Sequence, residues 1–240
     1  GQVAFARAEE IFRLGQALVG AVQDAASRPV VRLAVGLSDG ISKFAAHALL
    51  GPILDTPDLR LICHDGEFEQ LQAELALHRL DLVLTGQAAP ANANLGLSNE
   101  RLVSSPVDWY GPATLVDAAQ IDAFPRSLEQ LPVLLPTAHA ALRARLDHWF
   151  LDQGLQPQLV GEFEDSALMS VFSARGLGVF PVSRLGAHDI GLLAGLRLLG
   201  HCADVNEEIY AISNRRSQHH PLVRRILAEA LAPRGRPDAG

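Results

Sequence analysis

The 240 residues carry a net charge of -7 and 48% hydrophobic side chains, enough apolar material for one large core or for two lobes of roughly 100 residues each. No stretch reaches the roughly 20 uninterrupted apolar residues of a membrane helix, and the first residues lack the basic, apolar, small-residue order of a secretory signal. The acidity argues against the chain gripping nucleic acid by itself, because phosphate binding needs a concentrated basic face.

The chain starts with a predicted helix from Phe5 to Ala26. Ile11, Leu14, Leu18, Ala21 and Ala25 recur at alternating spacings of three and four, as in a coiled-coil seam, with Phe5, Phe12 and Val19 in a second row beside it. A stripe that wide needs a partner, so residues 1–28 are expected to form a linker and dimerisation helix with Ile11, Leu14 and Leu18 at its contact. Pro29 ends it.

Strands and helices then alternate. "VVRLAVG", "LRLICH" and "DLVLTG" read as strands, with "FAAHALLGPIL" and "FEQLQAELALHRL" as the helices between them. The pattern predicts right-handed crossovers and a parallel sheet. Glu100 to Asp117 alternates and carries two prolines, as a strand passing between lobes would. The later half repeats the scheme in "PVLLPTAHAALRARLDHWFLDQG", "QLVGEF", "DSALMSVFSARG" and "LGVFPVS". "NEEIYAISNRR" supplies a second crossing strand, and "HPLVRRILAEAL" a helix returned to the first lobe. The expected fold is α/β: two Rossmann-like subdomains joined by two crossover strands, of the periplasmic-binding-protein-like type II, preceded by the linker helix. Residues 30–101 with 202–232 form the first subdomain and residues 102–201 the second. Two crossings make a hinge above a cleft, with the flexing residues expected near Leu102 and Val103 and near His201 to Asp204.

Ligands of open α/β sheets sit beyond the carboxyl ends of the strands. Those ends present Ser38, Asp39, Gly40 and Ser42, then Asp65 and Gly66, Thr85, Thr137 and His139, Glu164 and Asp165, and Ser183. Small hydroxyls and free amides at helix starts can bind a polar ligand, although Ser and Asp there also serve as simple caps. The two cysteines, Cys63 and Cys202, are read as buried free thiols of a reducing, cytoplasmic compartment. Walker and dinucleotide loops, C-x-x-C and H-E-x-x-H are all missing, so no cofactor and no catalysis are expected. The adjacent His219 and His220 precede Pro221 and read as the start of a helix.

The long helix, the proline linker, "GPILDTPDLRLICHDG" and "LALHRLDLVLTG" together resemble the effector-binding region of LysR-type transcriptional regulators, over nearly the whole chain. Within that family, "LSDGISK", "LDHWFLDQGLQPQLVGEFEDSALMSVF" and "EEIYAISNRRSQHHPLVRRI" are similar to activators of sodium/proton antiporter genes. The resemblance implies a homodimer or homotetramer, promoter DNA bound through a winged helix-turn-helix that this chain lacks, RNA polymerase as a further partner, and a response to sodium or lithium. A hard cation needs oxygen ligands and compensating negative charge, which Asp39, Asp65, Glu164 and Asp165 would supply, with Lys43 the one opposing cation. A small organic anion held by Ser38, Ser42 and Thr137 is the other reading, and an exported solute-binding receptor the other function.

Overall fold

A computed structural model describes residues 30–89, 96–186 and 195–231. The predicted contact helix, with Ile11, Leu14 and Leu18, lies outside the described residues. β1 (Val31–Ser38) is buried continuously from Leu33 onward, as a strand with neighbours on both sides and helices on both faces must be. It pairs in parallel with β2 (Leu59–Gly66) and β3 (Leu82–Thr85). Leu33, Val35 and Leu37 face α1 (Lys43–Leu50), which buries Ala45, Ala46, Leu49 and Leu50 among them. Ala34 faces the other way, toward Leu71 and Leu75 of α2 (Phe68–Ala76).

Two expected helices are shorter than their patterns. α1 gives way at Gly51 to a 3-10 turn through Ile53, because Pro52 has no N–H to continue an α-helix. α2 stops at Ala76, and His78 turns the chain with a φ of 59°.

β4 (Leu97–Pro112) leaves the first lobe and β8 (Leu196–Asn214) returns to it, so the two are antiparallel and pair from Leu97 opposite Asn214 to Pro112 opposite Leu196. The expected purely parallel sheet is therefore mixed. Its order is β2-β1-β3-β8-β4-β7, where β7 is Phe180–Ser183, with β3–β8, β8–β4 and β4–β7 all antiparallel. A strand that passes between lobes and another that comes back cannot run the same way. The ladder is irregular in the middle: adjacent Pro106 and Val107 face Asn206 and Cys202, and Asp204 between them takes a φ of 67°.

Between the crossings, α3 (Ala118–Asp122), β5 (Pro132–Pro136), α4 (Ala141–Gln153), β6 (Gln158–Phe163), α5 (Ser166–Ala174) and β7 (Phe180–Ser183) build the second lobe. β5 and β6 are parallel, and Val179 just before β7 bridges to Val133 of β5. Gly178 permits that approach, since a Cβ there would stand 2.5 Å from the Pro132 carbonyl oxygen. α4 packs Leu142, Leu146, Trp149 and Phe150 on Trp109, Val133 and Leu135, a core separate from that of the first lobe. Gly154 ends α4 in the left-handed region, φ 62°, where its N–H reaches the Phe150 and Leu151 carbonyls. α6 (Pro221–Leu231) buries Leu222, Val223, Ile226 and Ala230 in the first lobe's core, as its sequence position after the second crossing predicts. His220 fastens it: its Nε2 lies 3.0 Å from the Arg32 carbonyl, and its Nδ1 accepts from Leu222 N–H.

Both cysteines are free thiols, but only Cys202 is buried. Cys63 lies exposed on β2, an edge strand of the sheet that pairs with β1 alone among the described residues.

Candidate functional site

A cleft of about 400 Å³ opens where the lobes meet. The first lobe lines it with Ser38, Asp39, Gly40, Glu67, Phe68, Glu69, Thr85, Gly86 and Gln87. The second contributes His139, Ala141, Leu142, Arg145 and Glu164, and the returning strand β8 adds Glu207 and Glu208. A smaller pocket of about 20 Å³ continues from it past Ser42, Glu164, Ser166, Ser183 and Glu207.

Strand ends predict this lining in part. Ser38 and Thr85 are buried in it, and Asp39, His139 and Glu164 are exposed along it. Gly40 is the point of closest approach: its φ of 78° suits glycine, and a Cβ there would stand 2.6 Å from that of Ala140 across the seam. Lys43 N–H also reaches the Ser166 hydroxyl across the seam, at 3.4 Å.

Other expected residues have different work. Ser42 caps α1, accepting from Ala45 N–H at 3.3 Å, and borders only the smaller pocket. Asp65 is ion-paired with Lys43, and the neighbouring Gly66 carbonyl accepts from Asp39 N–H. Thr137 turns the chain into α4 through its carbonyl, which accepts from Ala140 N–H. Asp165 caps α5, accepting from Leu168 N–H at 2.8 Å. The Ser183 hydroxyl accepts from Leu185 N–H. Of the four carboxylates expected together, Asp39 and Glu164 line the cleft while Asp65 and Asp165 do not. Among the described residues no three histidine, cysteine or acidic side chains converge as a metal-holding group. Residues 36–40, "GLSDG", also spell the G-x-S-x-G of a hydrolase nucleophile elbow. Ser38 is nevertheless the last residue of β1, and no histidine hydrogen-bonds to its hydroxyl among the described residues.

Four acids and one base in the lining lie beyond what strand ends predict: Glu67, Glu69, Glu207, Glu208 and Arg145. Lys43 is thus not the one cation near the strand ends. Arg145, one turn into α4, donates to the Asn206 carbonyl and lies 3.4 Å from Glu208. The Glu208 carboxyl is held below its ordinary range by the Tyr210 hydroxyl first, then by the charges of Arg145 and Arg101. Glu207 did carry a signal. Val205, Glu207, Ile209 and Ala211 alternate along β8, so a carboxylate occupies an otherwise apolar inward row.

Glu207 is 4% exposed, and burial pushes its carboxyl up to about 7, against the opposing pull of Ser42 N–H, the Ser183 hydroxyl and the Arg145 charge. Its Oε1 accepts from Ser42 N–H at 3.2 Å. Its Oε2 is buried without a hydrogen-bond partner, although the Ser183 hydroxyl is near enough to pull on the carboxyl.

Two α/β lobes, two antiparallel crossings and a polar cleft beneath them define the class: a two-lobed ligand-sensing domain of the periplasmic-binding type. Residues 26–232 match the family model described as LysR substrate binding domain, and the chain belongs to that family, one of transcriptional regulators rather than enzymes. It is 27% identical over 227 residues to the transcriptional activator protein NhaR of Escherichia coli K12, which covers 94% of this chain and 74% of NhaR. Among solved structures, the cofactor-binding domain of the Cbl transcriptional regulator is similar with a TM-score of 0.65 at 16% identity, over 87% of this chain and 91% of that one. Full-length CbnR in complex with its target DNA gives 0.66 at 15% identity, over 96% of this chain and 80% of that one. No helix among the described residues is long and apolar enough to cross a membrane.

Proposed function

We propose that this chain is the effector-sensing and oligomerisation part of a cytoplasmic LysR-type activator of sodium/proton antiporter genes, and that its cleft detects a small monovalent cation. The observation that carries the reading is the charge of the lining: Asp39, Glu67, Glu69, Glu164 and Glu208 face one guanidinium, Arg145, which is itself paired with Glu208. Such a surface attracts cations and disfavours anions. The organic-anion reading is weaker, because Ser42 is committed to capping α1 and Thr137 lies outside the lining. Family membership disfavours an exported receptor.

Promoter DNA would be bound through a domain outside this chain, with self-association through residues 1–28. The lobes, taken as 30–101 with 202–232 and as 102–201, would rock about the irregular ladder near Leu102 and Val103 and near His201 to Asp204. A cation can shift that rocking only by its different affinity for the open and closed angles. The test is a titration with sodium or lithium against potassium at fixed ionic strength, followed by Trp109 and Trp149 fluorescence and by melting temperature. Sodium or lithium should give a curve that potassium does not, weakened by Asp39→Asn; identical curves for all three ions would refute cation sensing.

A further inference from the structure

Glu207 sits in an unusual place for a carboxyl. It projects from the crossing strand β8 into the seam, and borders both the main cleft and the smaller pocket beneath it. One oxygen is tied to the first lobe through Ser42 N–H at the start of α1. The other, Oε2, is buried and unpartnered, and the second lobe supplies Leu142, Glu164 and Ser183 to the smaller pocket that Glu207 borders. An ionised carboxylate left with a bare buried oxygen is costly; a proton or a bound cation on that oxygen removes the cost. The titratable groups that line the cleft with it are Asp39 after β1, Glu67 and Glu69 at the start of α2, His139 ahead of α4, Arg145 on α4, Glu164 after β6 and Glu208 beside it on β8. Arg145 pulls on the carboxyl through its charge but donates its own hydrogen bond to the Asn206 carbonyl and lies against Glu208, so Oε2 is left without a hydrogen-bond donor.

We propose that Glu207 is the cation-receiving group at the floor of the cleft, holding a proton when the cleft is empty and exchanging it for a monovalent cation when the cleft is filled. The inference rests on the cation reading above and adds to it the receiving atom and its control by pH. The exchange balances: the Glu207 O–H bond breaks, the proton leaves to solvent, and the cation takes the negative oxygen, so the site's charge is unchanged. The acid cluster alone would not specify this. The buried, partnerless oxygen aimed into it does.

The experiment is cation addition to the weakly buffered chain, with a pH indicator reading released protons and melting temperature reading binding. With the Glu207 carboxyl at about 7, saturating sodium or lithium at pH 7 should release about half a proton per chain, and almost none at pH 9. Glu207→Gln keeps an oxygen to accept from Ser42 N–H and should release none. In the unsubstituted chain the apparent Kd should weaken up to about tenfold per pH unit below 7 and level off above it, a measurement that needs no variant. Binding without proton release, a Kd flat from pH 5 to 9, or equal release from Glu207→Gln would overturn the exchange while leaving cation sensing intact. No sodium- or lithium-specific response at either pH would overturn both.

Discussion

Replacing Glu207 by Gln should change how stability depends on pH, in a direction the burial of this residue dictates. Below pH 4.5 the carboxyl is protonated in both the folded and the unfolded chain, and its titration contributes nothing. Between 4.5 and about 7 the unfolded chain releases the proton and the folded chain keeps it, so stability falls as pH rises. Above about 7 the fall is complete, and a displacement of this size corresponds to roughly 3 kcal/mol. Gln has no proton to lose and escapes the fall. The Gln variant should therefore gain about 2 to 3 kcal/mol on the parent between pH 5 and pH 8, whatever the substitution does to stability at pH 5. Urea unfolding of both proteins at the two pH values measures it. Every other titrating group is common to the two chains and cancels in the difference. A stability gap between variant and parent that is the same at pH 5 and pH 8 would show that Glu207 is not held neutral by burial and has no proton to exchange near pH 7.

Gly178→Ala should lower stability by about 1–3 kcal/mol, because its new Cβ meets the Pro132 carbonyl oxygen at 2.5 Å and main chain can yield only by moving a strand; an unchanged melting curve would contradict that packing. With a disulfide reagent at pH 8 the native chain should modify quickly at Cys63, which is exposed, and at Cys202 only after unfolding, since burial pushes that thiol up to about 12. Equal rates at the two sulfurs would place Cys202 at the surface.

The sequence by itself determined the alternation, and the alternation determined the lobes. Apolar runs of strand length separated by helical spacing leave few ways to bury both faces, so β1 to β3 and β5 to β7 follow from pattern, as does the return of α6 to the first lobe. The rule that ligands meet strand ends points to Ser38, Asp39, Gly40, Thr85, His139 and Glu164, all of which line the cleft. It could not separate them from Asp65, Asp165, Ser42 and Thr137, because a polar residue at a strand end can face the cleft, cap a helix or pair with a neighbour. Which it does depends on the side chain's direction and on who stands within 3 Å or so of it. Tertiary structure alone decided that Lys43 takes Asp65, that α5 takes Asp165, and that Arg145 comes to the cleft from one turn inside α4. It also made Glu207 what it is. The inward parity of that residue is written in β8, but its displaced proton affinity is not, for a carboxyl on one strand is desolvated only when two lobes far apart in sequence close over it.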